Sequence, residues 1–364
     1  MRVLIIGAGI SGLCSAWACA RAGLDVTLVE AGPLPNPLAS SVDHNRLIRY
    51  PYGPAGGYVD RVGEAFAGWA RLWADLGACH YAETGALAYA YTTGDWTDAS
   101  RAHLAARGIP HETLDASDVA RRFPTYRADG VAWALHTPSG GVLAASRIVE
   151  GLIAHLPARG VSMRAHTRVV GLDCAAGRAT LAGGETLCAD LVVVCAGPWV
   201  SELVPALRAR AIPSRQVIVY LQPPASEAAQ WATAPMLLDI AEGGVYAVPP
   251  RMGTPMKVAD HRFSMMGHPD RDRDAWVHEA DALIEAARGR VAGVERMTRL
   301  EAKTCFYTVG EGERFIVHDD GAALVVSACS GHGFKFGPVV GEAVARVAKG
   351  EADAAWLARH LGGA

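Results

Sequence analysis

The N-terminal residues group into apolar and polar stretches that predict a strand, a helix and a second strand. Arg2 to Ile6 is a short apolar run rich in β-branched residues, which is typical of a strand buried on both faces. A helix is predicted from about Ile10 to Ala22, because Gly23 is placed to end it. Asp25 to Val29 predicts the second strand. The pattern therefore indicates a βαβ unit.

Three glycines and one acid occupy special positions in this unit. The first strand leads into a GxGxxG motif formed by Gly7, Gly9 and Gly12, and the second strand ends at Glu30. In such a motif the first glycine permits a tight turn, the second lets a pyrophosphate approach the backbone and the third lets helix and strand pack. Glu30 can accept ribose hydroxyls. A glycine-rich turn without a ligand is the alternative, but the complete unit favours a dinucleotide site. The motif alone does not distinguish FAD from NAD.

Apolar segments further along the chain extend this pattern. Gly160 to Val170 predicts a strand-pair element, and Ala189 to Val194 predicts a buried strand that runs into a Gly-Pro turn. Pro338 to Lys349 predicts a helix. A strand that returns so far downstream suits a discontinuous FAD domain, in which the chain leaves, builds a substrate domain and comes back. An ordinary parallel core strand is the alternative.

Composition and charge narrow the function classes. A chain of 364 residues favours two domains, and 34 basic against 37 acidic residues give a formal charge of -3. We therefore expect no nucleic-acid partner and no membrane partner. The eight cysteines lack the close paired spacings of a zinc site or a disulfide framework, so we expect no metal and a reduced, cytoplasmic location.

Four separated segments carry a family resemblance that runs over nearly the whole chain. They are the glycine motif through Glu30, the stretch from Arg46 to Gly53, the block from Tyr246 to His261, and a tail that runs from Lys303 to the motif Ser330 to Phe336. With these segments the chain resembles the monomeric sarcosine oxidase family of FAD-dependent amino-acid oxidases, which includes N-methyltryptophan oxidase and pipecolate oxidase.

The resemblance implies a covalently bound FAD. Cys305 matches the cysteine that, in this family, bonds to the 8α-methyl carbon of the flavin. A thiolate can add to that electrophilic carbon if the two are held together, and a small buried thiol is the alternative. Further residues are expected to bind the cofactor, namely Arg46, Val169, Gly331, His332, Gly333 and Lys335.

The resemblance also implies a cationic active site. Lys257 matches the lysine that stands over the flavin face and activates oxygen, where a fixed cation acts by electrostatic catalysis. Arg49 and Lys335 match the pair that grips the substrate carboxylate, the arginine bidentately and the lysine as a point charge. Structural ion pairs are the alternative for either side chain. Tyr246 and His261 match residues that line the substrate cavity, and a packed histidine is the alternative to a catalytic one.

These segments predict an α/β fold with two parts. A Rossmann-like FAD-binding domain with the GxGxxG motif is expected to comprise residues 1-86, 142-208 and 298-364. An α+β substrate domain with a mostly antiparallel sheet is expected to comprise residues 87-141 and 209-297. The active site is expected where the two parts meet.

The predicted activity is that of an FAD-dependent oxidase. It would transfer a hydride from the C–N carbon of a small secondary, cyclic or N-methyl amino acid to the flavin, giving an imine and hydrogen peroxide. The expected partners are this amino or imino acid and O2, and we expect a monomer. The alternatives are an FAD-dependent amino-acid dehydrogenase, a primary-amine oxidase of the glycine type and a flavin-binding module without turnover. Ser40 to Asp43 and a single His44 replace a histidine pair common in sarcosine-oxidising relatives, which argues against sarcosine itself.

Overall fold

The structure is a computed structural model that describes residues 1–241, 244–327 and 330–363. The strands in these residues are β1 (Arg2–Ile6), β2 (Asp25–Val29), β3 (Arg46–Ile48), β4 (Tyr81–Glu83), β5 (Ala86–Ala90), β6 (Glu112–Leu114), β7 (Trp133–Thr137), β8 (Gly141–Leu143), β9 (Ser162–Arg164), β10 (Val169–Asp173), β11 (Arg178–Leu181), β12 (Thr186–Cys188), β13 (Leu191–Val194), β14 (Ile212–Gln222), β15 (Met236–Leu238), β16 (Val245–Val248), β17 (Met256–Asp260), β18 (Thr298–Val309), β19 (Ile316–Asp320) and β20 (Ala323–Ser327). The α-helices are α1 (Ile10–Arg21), α2 (Gly57–Leu76), α3 (Trp96–Ala106), α4 (Ala116–Arg122), α5 (Ala145–His155), α6 (Val200–Leu203), α7 (Ala228–Thr233), α8 (Val277–Arg288), α9 (Gly337–Ala348) and α10 (Ala354–Leu361).

The N-terminal apolar run lies in the middle of a six-stranded sheet with the order β19-β20-β13-β1-β2-β9. The pairings along this sheet are parallel except that between β19 and β20. The return strand β13 pairs directly with β1, from Val3 opposite Leu191 to Ile6 opposite Val194. Four residues of β1, Val3 to Ile6, are buried, as expected for a strand covered on both faces.

Helices α1 and α9 pack closely beside this sheet. A Cβ atom at Gly341 would lie 2.2 Å from the backbone oxygen of Cys14, so this contact requires glycine. The helix predicted at the C-terminal end of the chain is thereby fixed against the helix that follows the GxGxxG motif.

An eight-stranded sheet has the order β18-β14-β17-β16-β15-β5-β7-β6. Its neighbouring strands are antiparallel apart from β15 and β5. The two sheets together confirm the predicted fold class, an α/β fold in which a mostly parallel sheet is combined with a mostly antiparallel one. Strand β18 pairs with β14 from Thr298 to Val309. Residues 298–309 therefore extend the eight-stranded sheet, although the expected boundary at residue 298 grouped them with the FAD-binding part. The division into two domains stays a prediction.

Two three-stranded sheets accompany the two large sheets. Strands β3, β8 and β4 form one three-stranded sheet, and β10, β11 and β12 form another. Helix α2 supports the tail of the chain, because its Trp69 donates an indole hydrogen bond of 2.8 Å to the backbone oxygen of Lys335. Within the described residues, no helix is both long and apolar enough to cross a membrane.

Candidate active site

The glycine turn opens one end of a long groove. Gly7 has φ +100, and a Cβ atom there would lie 2.5 Å from the backbone oxygen of Cys195, so only glycine is accommodated. Gly12 faces the Gly7 carbonyl from the first turn of α1 and lies outside the groove lining. Gly9 and Ile10 line the groove at the start of α1, where helix N-terminal amides favour an anionic group.

Glu30 holds the turn together. One carboxylate oxygen, Oε2, accepts a hydrogen bond of 2.9 Å from the backbone amide of Ala8. The other, Oε1, accepts from the amide of Gly32 at 2.9 Å and from Nδ2 of Asn36 at 2.8 Å. The carboxylate is therefore fixed at the groove wall where a ribose hydroxyl could reach it. Sequence reasoning did not identify Asn36, which lies in a proline-rich loop with no local signal.

The groove extends from Glu30 to the tail of the chain. Predicted cofactor-binding residues that line it are Gly7, Gly9, Glu30, Arg46, Val169, Gly331 and Gly333. Ser327 also lines it, and the buried hydroxyl of Ser327 has no hydrogen-bond partner within the described residues. A long groove with a glycine turn, an acid and an unsatisfied hydroxyl suits a dinucleotide that continues into a polar ring system.

A second, smaller cavity of about 70 Å³ adjoins the groove. The two share four lining residues, Arg46, Tyr307, Gly331 and Phe334. The five predicted catalytic residues all line the smaller cavity, and they are Arg49, Tyr246, Lys257, His261 and Lys335. Side chains from widely separated segments thus meet at one end of the groove. His332, expected at the cofactor, lines this second cavity and is absent from the groove lining.

Arg49 is a buried cation held by aromatic rings. Its guanidinium carbon lies 4.7 Å from the ring centroid of Tyr52 and 5.3 Å from that of Trp96. Its Nη1 donates to the backbone oxygen of Pro51. Burial lowers the pKa of Arg49, but an arginine side chain stays charged in proteins. The site can therefore attract a carboxylate.

Lys335 belongs to a hydrogen-bonded chain that fixes a histidine. Lys335 Nζ donates to the Tyr52 hydroxyl at 2.9 Å and to the His332 backbone oxygen at 3.1 Å. The Tyr52 hydroxyl lies 3.2 Å from Nδ1 of His332, and Nε2 lies 2.7 Å from the Glu313 carbonyl. Because a carbonyl only accepts, Nε2 carries the proton and Nδ1 accepts from Tyr52. Burial, together with the charge of Lys335, lowers the pKa of His332 to about 3, so the imidazole is neutral.

Lys257 reaches the cavity as part of a buried ion network. Its Nζ lies 2.7 Å from Oδ2 of Asp43, and Nη1 of Arg46 lies 2.8 Å from the same oxygen. Burial alone would raise the pKa of Asp43, but Arg46, Lys257 and Lys303 together lower it to about 2. Burial lowers the pKa of Lys257 to about 8, although Asp43 opposes that change.

Cys305 lies behind the groove wall. It is buried on β18, with Sγ 3.7 Å from Nη2 of Arg46 and 3.9 Å from the backbone oxygen of Ser40. Arg46 and Ser40 line the groove, whereas Cys305 is one contact away from it. The thiol is therefore next to the expected cofactor position but is not itself part of the lining.

Tyr246, Tyr307 and His261 complete the cavity. A side-chain hydrogen bond joins Tyr246 to Tyr307, and burial raises the pKa of Tyr246 to about 12, so both hydroxyls stay protonated. His261 Nε2 lies 3.4 Å from Oε2 of Glu313. Glu313 itself has φ +59, a left-handed conformation that is uncommon for a residue with a side chain.

Sequence reasoning missed several residues of this site. Tyr52 and Tyr307 stand within the segments that carried the resemblance, so their position was a usable signal. Asp43 was noted only as a departure from a histidine pair, and no local pattern shows that it meets Lys257 across 214 residues. Glu313 has no sequence signal beyond the glycine that precedes it.

Comparisons with known proteins identify the family and the fold. The sequence pattern of a family described as FAD dependent oxidoreductase matches residues 2–347. An N-methyl-L-tryptophan oxidase of Yersinia pestis (strain Pestoides F) is 26% identical over 356 residues, 95% of this chain and 94% of that protein. NikD, an unusual amino acid oxidase essential for nikkomycin biosynthesis, has a TM-score of 0.81 at 20% identity, covering 96% of this chain and 94% of NikD. L-proline dehydrogenase from P. horikoshii has a TM-score of 0.84 at 17% identity, covering 96% and 93%. The two structural similarities show the fold alone.

Proposed function

This chain belongs to the family of FAD-dependent oxidoreductases, and on that premise we propose that it oxidises a small secondary, cyclic or N-methyl amino acid with O2 as acceptor. The observation that carries the proposal is that Arg49, Lys257 and Lys335 line one cavity that adjoins the dinucleotide groove. Cations in a small cavity whose other walls combine aliphatic, aromatic and histidine side chains suit a compact substrate with a carboxylate.

Family membership implies FAD, and the groove residues suit it. The amides at the start of α1 would hold the pyrophosphate and Glu30 the ribose, while Arg46 and Gly331 border the end shared with the small cavity. When bound there, FAD supplies the oxidising equivalent, since it accepts a hydride and passes the electrons on. We further propose that Cys305 tethers it, because Sγ lies within 4 Å of two groove residues, Arg46 and Ser40.

Arg49 and Lys335 would orient the substrate through its carboxylate. Both are buried, and their positions are fixed by Tyr52, which stacks on the guanidinium and accepts from the ammonium. A carboxylate held at two fixed cations leaves the Cα atom and its amine little freedom, which is how positioning lowers a barrier.

The remaining walls favour a compact, apolar substrate. Leu47, Leu238, Ile240 and Phe334 line the cavity with Tyr246. With its pKa near 3, His332 is unsuited to abstract a proton at neutral pH. On this proposal the amine enters uncharged, in the minor neutral form of a cyclic or N-alkyl amino acid.

One observation favours a second candidate, an amino-acid dehydrogenase that passes electrons to another acceptor. The ammonium of Lys257 is paired with Asp43 and is not an isolated charge. An ion pair attracts charge on oxygen less strongly than a bare cation does. The substrate cavity would be the same in both cases, and only the acceptor would differ.

Anaerobic reduction by a substrate panel tests the proposal. The purified flavoprotein is mixed without oxygen with glycine, sarcosine, proline, pipecolate and N-methyltryptophan, and the flavin absorbance is followed. A secondary or cyclic amino acid should bleach it fastest, and air should then restore the colour with one peroxide per substrate. Bleaching without peroxide would indicate the dehydrogenase. A preference for glycine would indicate the primary-amine oxidase, and a flavin that no amine bleaches would indicate a binding module without turnover.

Acid precipitation tests the tether separately. If Cys305 carries the flavin, the wild-type pellet is yellow, whereas Cys305→Ser releases the colour into the supernatant. Cys188→Ser, at an exposed cysteine, is the matched control and should keep a yellow pellet. A colourless wild-type pellet would contradict the tether but leave the oxidase proposal intact.

A further inference from the structure

Lysine is rare in this chain, and where it occurs is informative. There are four lysines, at positions 257, 303, 335 and 349. Two of them, Lys257 and Lys335, are buried at the small cavity. Lys303 donates at 3.2 Å to the backbone oxygen of Val42, directly before Asp43. Three of the four lysines are therefore at the cavity or beside Asp43, a carboxylate to which the proposed oxidase reaction assigns no role.

Asp43 lies in the segment before β3 and is held rigidly against the strand β17. Its side chain is fully buried, and Oδ1 accepts a hydrogen bond of 2.8 Å from the His44 amide while Oδ2 meets Lys257 and Arg46. Its backbone oxygen accepts from the Ser146 hydroxyl at 2.7 Å. Next to it, Asn45 Nδ2 donates to the Pro255 backbone oxygen at 2.9 Å. The carboxylate therefore has a fixed position relative to both cations.

The charges around Lys257 come from two parts of the chain. Asp43 and Arg46 face it from the segment at β3, and Cys305 faces it from β18. Asp43 is the anion among them, so a Lys257 ammonium without it would be left beside the Arg46 guanidinium in a buried site. A buried cation next to a like charge is strongly disfavoured.

We propose that Asp43 is a positioning residue that keeps Lys257 protonated and fixes its ammonium at the wall of the small cavity, and so sets how fast the reduced enzyme reacts with oxygen. This inference rests on the proposed oxidase function. In that reaction O2 takes up two electrons from the reduced cofactor and two protons, and leaves as hydrogen peroxide. Lys257 contributes only its charge, which favours negative charge building on oxygen.

The direction of the effect follows from the environment of Lys257. Asp43 raises the pKa of Lys257 against burial, which nonetheless brings it down to about 8. In Asp43→Asn the opposing anion is gone, and the loss of a close opposite charge should lower the lysine pKa by about 1 to 3 units. The variant lysine would then be neutral at physiological pH. The expected oxygen reaction is correspondingly slower.

Lysine titration by NMR tests the charge coupling without turnover. Lysine labelled with 13C at Cε gives four signals in the flavin-loaded protein, and Lys257→Arg assigns one of them. The Lys257 signal should titrate near pH 8 in the wild type and at least about 1 unit lower in Asp43→Asn. Glu301→Gln is the matched control, because that carboxylate contacts His44 and not Lys257. An unchanged or raised Lys257 pKa in Asp43→Asn overturns the proposal.

Reoxidation kinetics test the consequence. The flavin is reduced by light, so no substrate is needed, and mixed with oxygen from pH 6 to 10. The wild-type rate should fall above about pH 8, and for a shift of about 2 units the Asp43→Asn rate should be roughly 10-fold lower at pH 7. Asp43→Glu keeps the charge and should restore the pH profile, also showing that the site folds. A faster or unshifted Asp43→Asn reaction overturns the proposal.

A wild-type protein whose reduced flavin does not react with oxygen contradicts the oxidase function itself. The lysine titration then still tests the coupling between Asp43 and Lys257.

Discussion

Arg49 shows how a single side chain can be buried and yet available. Its guanidinium is positioned by two aromatic rings and a carbonyl, and none of these groups neutralises the charge. Lysine at this position would keep the charge but lose the planar fork and the stacking.

We therefore expect Arg49→Lys to raise the KM for the amino-acid substrate by about 10- to 100-fold, the equivalent of losing one charge-assisted bidentate contact, with a smaller change in kcat. Steady-state kinetics with the best substrate of the panel measure it. Arg101→Lys, at an exposed arginine that stacks on Trp133 at 5.4 Å, is the matched control and should leave KM unchanged. An unaltered KM in Arg49→Lys would exclude this arginine from carboxylate binding.

His332 makes stability depend on pH. Its pKa is lowered to about 3 in the folded protein, against 6.5 for the ordinary side chain. The folded state thus favours the neutral imidazole, and the stabilisation is complete above pH 6.5 and is lost as the pH falls towards 3. The wild type should lose about 2 kcal/mol more than His332→Gln between pH 6.5 and 5, at about 1.4 kcal/mol per pH unit. Urea unfolding of both proteins at the two pH values measures this difference. His278→Gln, at an exposed histidine, is the control. Equal losses of stability in all three proteins would show that His332 does not titrate in this way.

The sequence predicted single residues well where a motif surrounds them and poorly where only the fold brings them together. The five predicted catalytic residues line one cavity, while their individual roles remain predictions. Asp43 and Glu313 were not predicted as site residues because their partners are distant in sequence. Asp43 contacts Lys257, and the carbonyl of Glu313 contacts His332. Burial and ion pairing at such distances leave no periodic pattern that a single sequence could show.

At the scale of elements, local sequence patterns predicted the strands and helices that such patterns mark. The structure has β1, α1, β2, β13 and α9 where apolar runs and glycines indicated them. The long strand β18 pairs with β14 in the eight-stranded sheet, and no local pattern indicated this pairing. Thr298 to Leu300 are exposed and its later residues are buried, so its pattern resembles neither a fully buried nor a half-buried strand. Only its partner β14, more than 70 residues earlier, determines where it lies.

The contact between α1 and α9 gives a prediction for this scale. Gly341→Ala would place a Cβ atom 2.2 Å from the Cys14 backbone oxygen and force the helices apart. Overpacking of this kind costs about 1 to 3 kcal/mol, so the variant should unfold at lower urea concentration. Gly63→Ala in α2 is the matched control, because nothing lies within 4 Å of its new methyl group, and it should be neutral or stabilise by up to about 1 kcal/mol. Equal stability of the two variants would mean that the helices can separate freely.

For the whole molecule, the family and the fold class predicted from the sequence are confirmed, and the substrate is the part that sequence could not determine. The walls of the small cavity come from the segment at β3, from β15 to β17, from β18 and from the tail. Its shape therefore depends on how two sheets meet, which no single segment encodes. The same junction lets a cofactor in the groove connect both sheets.

Cofactor binding should accordingly protect both sheets from hydrogen exchange. The groove is lined by Gly7 and Val29 of the six-stranded sheet region and by Tyr307 and Thr308 of β18. In Cys305→Ser protein stripped of flavin, FAD at 100 times its dissociation constant should add about 2.7 kcal/mol of stability. Exchange should slow in β1 and β2 and also in β18, because the ligand contacts all of these regions at once. NAD at the same concentration is the control ligand, since it shares the adenosine and pyrophosphate but lacks the flavin ring that would reach the end of the groove near Tyr307. Protection confined to β1 and β2 with FAD would mean that the ring does not occupy the junction, and both the tether and the role proposed for Lys257 in the oxygen reaction would then have to be abandoned.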